Sequence, residues 1–248
     1  MLCIDNRCTD VYFNLAAEEY LLKKKKESFF MLWQSAPSVV IGKHQNVQRE
    51  VDEDFMQEKN ITLARRFSGG GAVYHDEGNI NLSFIETVER PDFEYYLQRT
   101  VEFLESMGVA AYTDQRMGIY VDERKVSGSA QCIHKNRVMY HCTLLYATDL
   151  DRLNAALRGK MDAEDLLPGS RVVRAVPSVR SEVANISEFL SPVIPLKRFI
   201  RLLFHFIMEE EGDMYRFTHE DLKAIERLKL EKYASGEWIY NKASLSLA

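Results

Sequence analysis

The chain has 248 residues, of which 46% are hydrophobic and 28% charged, with 12 glycines and 6 prolines. This composition excludes disordered, collagen-like and disulfide-scaffold proteins, and the length suits one large domain or two small ones. The formal net charge of -5 argues against a large duplex-binding surface, because affinity for a phosphate backbone comes mainly from clustered Lys and Arg. A folded acidic partner or a small anion is left open.

The N-terminal half predicts one helix followed by short strands. Apolar residues on one side indicate a helix over 14–26, with four lysines at 23–26 near its end, where cations suit the negative pole of the helix dipole. We prefer that account of the lysines to nucleic-acid binding, because the whole chain is acidic. β-branched and aromatic runs predict strands at 29–34, 38–42, 61–66, 72–75 and 79–86, with a short helix at 52–59.

The C-terminal half begins with strands and ends in helices. The pattern over 92–107 predicts an amphipathic helix ended by Gly108. Strands are predicted at 119–121, 125–132 and 138–146, and helices at 182–190, 196–211 and 219–232. Since strands come before helices, with no repeat period, we expect an α+β domain rather than alternating βαβ units.

The cysteines and the start of the chain bear on its compartment. Cys3, Cys8, Cys132 and Cys142 form no C-x-x-C pair and have no histidines at zinc-finger spacing, so we expect free thiols and no metal knuckle. Charged residues precede any apolar run long enough for a signal peptide, and no stretch approaches the ~20 apolar residues of a membrane span. These features predict a cytoplasmic protein.

Unusual residues concentrate at 65–76. Arg65, Arg66 and the hydroxyl of Ser68 stand beside the three glycines 69–71, and glycines let a ligand approach closely enough for amide N–H groups to reach an anion. Taken alone, the same glycines are equally typical of a hairpin turn. Neither the Walker pattern nor the dinucleotide fingerprint fits, because no Gly-Lys-Ser or Gly-Lys-Thr follows and strands rather than a helix come next.

Two later segments also carry chemistry-bearing residues. Lys125 lies on a predicted strand before small residues, which lets an ammonium enter a cleft and counter charge on a transferring phosphoryl or nucleotidyl group. By itself the segment is also consistent with a surface lysine on an edge strand. His141 lies on the next strand, where we expect by default a hydrogen-bonded, half-buried histidine.

Together these segments resemble the catalytic domain of the lipoate protein ligase family. That family carries R-R-x-S-G-G-G-A-V-[YF]-H-D-x-G-N, R-K-[VI]-S-G-[SN]-A and H-G-T-L-L, which match residues 65–79, 124–130 and 141–145. Weaker matches at 14–21, 37–46 and 178–181 extend the resemblance over most of 10–190. It implies an α+β fold, a mixed β-sheet flanked by helices, like the biotin and lipoate ligases and distantly similar to class II aminoacyl-tRNA synthetase cores. We expect a single catalytic domain over 1–248, with 190–248 as its helical C-terminal extension.

The resemblance implies a two-step ligase. Lipoate and ATP first give lipoyl-AMP and pyrophosphate, normally with Mg2+, and the acyl group then passes to a lysine of a lipoyl carrier domain of the 2-oxoacid dehydrogenase acyltransferase or glycine cleavage H protein type. By position, Lys125 is the catalytic residue, contacting the acyl carbonyl and the α-phosphate. Positions carried over for the substrate are Arg66, Ser68, Gly69, Gly70, Gly71, Ala72, His75, Ser127 and His141, and those for the nucleotide are Arg66, Lys125, Ser129 and Ala130.

The sequence also departs from the family pattern. Residues 115–118 read Gln-Arg-Met-Gly where the family has G-R-N-D, so an amide and a carboxylate are missing, and Cys142 replaces the glycine of the third motif. Common bacterial members continue for a further domain of about 80 to 100 residues, whereas nothing follows Ala248. Three interpretations stay open: a ligase that needs a separate accessory chain, a ligase that acts alone, or a transferase of an already activated acyl group.

Two further alternatives belong to other classes. An octanoyl transferase with a cysteine nucleophile would have to use Cys132 or Cys142, each of which would need a neighbouring base or cation to form a thiolate. Adjacent residues on a strand point to opposite faces, so His141 is poorly placed to serve Cys142. A non-catalytic relative that only binds lipoate is motivated by the change at residues 117 and 118.

Overall fold

A computed structural model of the chain describes residues 1–87, 92–159 and 177–241. The strands are β1 Leu2–Asn6, β2 Phe29–Trp33, β3 Ser38–Ile41, β4 Thr62–Arg65, β5 Val73–His75, β6 Asn79–Thr87, β7 Tyr112–Thr113, β8 Ile119–Val121, β9 Arg124–Ser127, β10 Ser129–His134, β11 Arg137–Leu145 and β12 Asp213–Met214. The helices are α1 Val11–Lys24, α2 Val47–Glu50, α3 Glu53–Glu58, α4 Phe93–Ser106, α5 Leu150–Ala156, α6 Leu196–Glu211, α7 His219–Leu228 and α8 Gly236–Ile239. A 3-10 turn spans Ile186–Phe189 and a π-helical turn Lys229–Tyr233.

The largest sheet in the described part of the chain has six strands in the order β10-β11-β6-β2-β1-β12. Strand β1 runs parallel to β2 and β12, whereas the pairs β2–β6, β6–β11 and β11–β10 are antiparallel. Two smaller sheets, β4-β3-β5 and β7-β8-β9, carry His75 on β5 and Lys125 on β9. The expected α+β fold with a mixed sheet is confirmed.

Strand β2 shows why the six-stranded sheet lies between helices. All five of its residues are buried. Phe30 and Leu32 pack in the core formed with α4 and α6, whereas Phe29, Met31 and Trp33 pack in the core formed with α1 and α7. Alternate residues of a strand point to opposite faces, so an uninterrupted apolar strand requires a covered face on each side. No helix in the described ranges combines the length and the apolar character needed to cross a membrane.

Helix α1 begins earlier than predicted because Asp10 caps it. The Asp10 side chain accepts hydrogen bonds from the backbone N–H groups of Tyr12 and Phe13. Two of the four lysines near its end form ion pairs, Lys23 with Glu19 at 2.7 Å and Lys25 with Asp221 at 2.8 Å. Since these lysines bind the protein's own carboxylates, the structural account of the lysine run is supported.

Two predicted elements are wrong. The strand predicted over 125–132 is two strands, β9 and β10, which belong to different sheets and are separated by Gly128. The helix predicted over 182–190 is replaced by an extended segment and the short 3-10 turn. The reason is long-range pairing: the Lys125 N–H donates to the Glu182 carbonyl at 2.8 Å, and the Ala184 N–H donates to the Lys125 carbonyl at 3.1 Å. By contrast, α6 has the predicted bounds.

Candidate active site

The glycine loop, residues 66–72, is wrapped around the guanidinium of Arg66. Its Nη1 donates to the Val40 carbonyl at 3.0 Å, and its Nη2 donates to the carbonyls of Gly69 at 2.6 Å and Gly71 at 2.7 Å. Its Nε lies 3.1 Å from Ser68 Oγ. Burial lowers the pKa of Arg66 to about 10, so the group stays charged at neutral pH. The arginine predicted to bind substrate therefore also orders the loop.

The loop needs glycine at positions where other chain segments approach. Gly70 has φ +86°, and a Cβ there would lie 2.8 Å from Arg66 Nη2. A Cβ at Gly71 would lie 3.0 Å from Ser178 Oγ, the atom that also accepts the Ala72 N–H at 2.8 Å. A mobile hairpin would show neither contact. The glycines therefore form a packed loop that closes against the Ser178 segment.

A hydrogen-bonded chain runs behind the loop. Ser68 Oγ lies 2.8 Å from His141 Nε2, and His141 Nδ1 lies 3.0 Å from Glu18 Oε1. The Ser83 hydroxyl also donates to Glu18. His141 is thus hydrogen-bonded as expected, and its partner Glu18, on α1, is a residue that we did not predict. The only hint was the weak match around residues 14–21, which contains this glutamate.

His75 is a buried histidine with an altered titration. It is 3% exposed, its ring lies edge-on to Trp33 with centroids 5.5 Å apart, and neither ring nitrogen has a hydrogen-bond partner among the described residues. Burial, followed by repulsion from Arg66 and His141, lowers the pKa of His75 to about 3. The imidazole is therefore neutral. The side-chain Nδ2 of Asn81, also buried, has no partner in the described ranges either.

Lys125 lies at the junction of two cavities. The larger cavity, about 460 Å³, and the smaller one, about 330 Å³, share the lining residues Ala72, Val73, Lys125, Gly128, Thr143, Pro177, Ser178 and Val179. Burial lowers the pKa of Lys125, against the attraction of Asp114. In the described ranges, Lys125 forms no ion pair. A partly desolvated ammonium without a direct counter-ion is suited to receive an anion.

The two cavities bring most of the predicted site residues together. The smaller cavity is lined by Arg66, Gly70, Gly71, Ala72, His75, Lys125, Ser129, Ala130 and His141. Ser127 joins Ala72 and Lys125 in the larger one. Ser68 and Gly69 appear in neither lining, since Ser68 is only 1% exposed behind the loop. The roles of these residues towards a substrate stay predictions.

The larger cavity has a cationic lining, and the lining of the smaller one includes Leu15, Glu18 and Trp33. Arg49, Arg158 and Arg180 line the larger cavity with Lys125, against the single carboxylate of Glu50. Such a lining suits a polyphosphate.

Side chains of the described residues do not by themselves build a metal site. The described residues contain no group of three or more His, Cys, Asp or Glu that could hold a metal ion. Mg2+ is commonly held by one or two carboxylates together with substrate phosphates, so these residues would hold such an ion only together with the phosphates of ATP.

Cys132 and Cys142 are poorly suited to act as nucleophiles. Cys142 is buried in the core, and burial raises the pKa of its thiol to about 12. Burial also raises the pKa of the Cys132 thiol. A cysteine nucleophile must form a thiolate near neutral pH. Neither residue meets that requirement.

Comparison with known proteins gives a consistent result. The model of the lipoyl protein ligase A/B catalytic domain matches residues 10–207. Lipoate–protein ligase 1 of Staphylococcus aureus is 38% identical over 244 residues, which cover 96% of this chain and 72% of that protein. A Thermoplasma acidophilum protein solved with bound lipoic acid has a TM-score of 0.79 at 23% identity, covering 96% of this chain and 98% of that one.

Two further solved structures show the same fold. One, described as a bi-partite lipoate protein ligase and its E2 lipoyl domain from T. acidophilum, has a TM-score of 0.79 at 25% identity, covering 96% of this chain and 95% of that one. Lipoate-protein ligase A bound with ATP has a TM-score of 0.77 at 24% identity, covering 96% of this chain and 98% of that one. The family match over residues 10–207 and the identity to the S. aureus protein confirm the resemblance drawn from the motifs: the chain belongs to the lipoyl protein ligase family.

Proposed function

We propose that this enzyme is a lipoate protein ligase, which activates lipoate with ATP to lipoyl-AMP and transfers the lipoyl group to a lysine of a lipoyl carrier domain. The observation that carries the proposal is the meeting of two cavities at the Lys125 side chain. The name of the S. aureus relative and the ATP bound to a protein of the same fold support it.

The two cavities divide the substrates. The acyl tail of lipoate enters the smaller cavity towards Trp33 and His75, and its carboxylate stays near Lys125. The nucleotide occupies the larger cavity, where the arginines face its phosphates. Both anionic groups therefore meet the same ammonium, and the glycine loop flanks the tail.

The role of Lys125 in the reaction is electrostatic. In the first step a carboxylate oxygen bonds to the α-phosphorus, and the bond from that phosphorus to the leaving pyrophosphate oxygen breaks. Two anions approach each other, so a fixed ammonium lowers the barrier by countering their charge rather than by taking a proton. In the second step the amine of the carrier lysine bonds to the acyl carbon, AMP leaves with its oxygen, and the amine loses a proton.

Replacement of Lys125 tests the proposal. We expect Lys125→Ala to fold but to lose both lipoyl-AMP formation and transfer, whereas Lys223→Ala, at an exposed lysine of α7, should keep both. The assay is mass spectrometry of an apo lipoyl domain after incubation with the protein, ATP, Mg2+ and lipoate, with separate detection of lipoyl-AMP. Near wild-type lipoyl-AMP formation by Lys125→Ala would contradict the assigned role.

A separate accessory chain is the partner that we propose to test first. The bi-partite description of the T. acidophilum ligase supports an arrangement in which two chains are needed. The same assay should therefore be run with and without candidate partner chains.

The four cysteines are free, which is consistent with a reducing, cytoplasmic compartment.

The transferase alternative has a distinct outcome. A cysteine mechanism would need Cys132 or Cys142 as a thiolate, and burial raises the pKa of both thiols. If modification of the carrier required octanoyl carrier protein instead of lipoate and ATP, and Cys142→Ala blocked it, the ligase assignment would be wrong. Lipoate binding without any ATP-dependent product would instead identify a non-catalytic relative.

A further inference from the structure

The turn between β7 and β8 holds one carboxylate in a defined position. Asp114 Oδ1 accepts the Gly118 N–H at 2.7 Å and the Arg116 N–H at 3.1 Å. The Asp114 N–H donates to the Gly118 carbonyl at 3.1 Å, and the Met117 N–H donates to the Asp114 carbonyl at 3.0 Å. The carboxylate is therefore fixed within the turn.

This carboxylate lies beside the Lys125 side chain. A Cβ built on Gly118 would lie 3.2 Å from Asp114 Oδ1 and 3.1 Å from Lys125 Cε. The carboxylate oxygen and the lysine Cε thus both lie close to this one point. The two groups are close neighbours, although Lys125 forms no ion pair in the described part of the chain.

In the described part of the chain no acid forms an ion pair with Lys125, although Glu50 and Glu18 line the two cavities with it. Arg116, on the same turn as Asp114, repels the ammonium, and Tyr120 on β8 offers its ring at 5.9 Å. Arg180 lines the larger cavity with Lys125. Glu182 contacts the Lys125 backbone through its carbonyl, and it is an exposed residue. Among these groups, Asp114 is the fixed acid whose charge acts on the ammonium.

We propose that Asp114 is a positioning residue for Lys125, whose carboxylate keeps the ammonium charged and directed at the junction of the two cavities. The inference rests on the proposed function for the reaction that Lys125 serves. It assigns to the turn at residues 114–118 an electrostatic task beyond that of connecting two strands. Without that charge, burial and the repulsion from Arg116 would both favour the neutral form of the lysine.

Two substitutions separate the charge from the turn. Asp114→Asn keeps an amide oxygen that can accept both N–H groups but removes the charge, whereas Asp114→Ala removes both. We expect the Asn variant to unfold at the wild-type temperature. On the alkaline side of the pH profile, its rate of lipoyl-AMP formation should fall at a pH about one unit lower than in the wild type. Above that pH its rate should be roughly tenfold below that of the wild type. The KM for ATP should change much less than kcat.

A relocated carboxylate provides a rescue test. In Asp114→Ala/Gly118→Asp the new carboxylate grows from residue 118, whose Cβ would lie 3.1 Å from Lys125 Cε. The atoms that this Cβ would displace belong to side chains, Tyr120 Cε2 at 2.9 Å and Lys125 Cε. We expect the double variant to recover the rate of lipoyl-AMP formation at alkaline pH that Asp114→Ala loses. A purely structural role for the turn predicts no recovery.

Direct titration of the lysine distinguishes failure of this inference from failure of the proposed function. The Lys125 Cε signal, followed by ¹³C NMR and assigned by its loss in Lys125→Ala, should titrate about one pH unit lower in Asp114→Asn. An unchanged titration with an unchanged pH profile overturns the inference and leaves the ligase assignment intact. If the lysine titration is shifted in Asp114→Asn but the wild-type protein makes no lipoyl-AMP, the inference is supported and the proposed function is overturned.

Discussion

The substitution Arg66→Lys tests whether the guanidinium is what orders the glycine loop. Its donors reach acceptors on different sides: Nη1 binds the Val40 carbonyl, and Nη2 binds the carbonyls of Gly69 and Gly71. An ammonium carries its three donors on one atom and lacks the planar fork, so it cannot serve both sides. The charge is kept, which isolates the effect of hydrogen-bond geometry.

The expected cost follows from the number of bonds lost. A lysine aimed at the glycine carbonyls gives up the bond to Val40 and the bond from Nε to Ser68 Oγ, which is 3.1 Å long. Hydrogen bonds to charged groups contribute about 1.5 to 3 kcal/mol each, so two such losses cost about 3 to 6 kcal/mol. Because lysine keeps three donors that can partly compensate, we expect about 3 kcal/mol. A domain with about 5 to 15 kcal/mol of stability survives this loss.

Urea unfolding at pH 7 measures the effect, with Arg227→Lys as the matched control. Arg227 is exposed and pairs with exposed Glu231, so its replacement should change the free energy of unfolding by no more than about 0.5 kcal/mol. The loosened loop should also raise the KM for lipoate more than that for ATP. A loss below about 1 kcal/mol for Arg66→Lys, with unchanged KM for lipoate, would refute the view that this guanidinium orders the loop.

Three further predictions follow from individual residues. Gly70→Ala should destabilise the protein by more than about 1 kcal/mol because of its positive φ, whereas Gly69→Ala, where a Cβ meets nothing within 4 Å, should be nearly neutral in urea unfolding. His75 has its pKa lowered to about 3, so the folded protein excludes the proton that the unfolded chain binds below its ordinary pKa. The free energy of unfolding should therefore be unaffected by this histidine above about pH 6.5 and should fall by about 1.4 kcal/mol per pH unit below it. His75→Leu should remove this slope when unfolding is measured from pH 7 to pH 4.5. Cys142→Ala should lower stability by about 1 to 2 kcal/mol through a small cavity but leave lipoyl-AMP formation and transfer intact, as followed by mass spectrometry.

Local signals in the sequence were enough for the elements that carry strong periodicity. Helix α6 has the predicted bounds because its apolar face repeats over sixteen residues. Strand β2 was visible because its residues are apolar and aromatic throughout. The extended segment 182–184 was missed because what holds it is its pairing with Lys125, more than fifty residues away, and such pairing leaves no local pattern. Strand β1 was missed for a similar reason, since it is short and is defined by its parallel neighbours.

The motifs indicated the candidate site but not its supporting contacts. They pointed to Lys125 and the glycine loop, which do line common cavities. They gave no account of why Arg66 is buried, because its acceptors include the distant Val40 carbonyl. Glu18 was likewise missed as the partner of His141, since a carboxylate on an amphipathic helix is usually solvated, and only the fold brings it to 3.0 Å from the imidazole.

The departure at residues 115–118 shows how a missing motif residue differs from a missing chemical group. Compared by position, Gly118 lacks the carboxylate that the family pattern has there. In space, the Asp114 carboxylate comes within 3.2 Å of the place where a Gly118 side chain would begin, and Gly118 contributes the N–H that holds it. A side chain at residue 118 would crowd both that carboxylate and Lys125. Gly118 and Asp114 therefore depend on each other, because the turn can bring the Asp114 carboxylate to Lys125 only while residue 118 has no side chain.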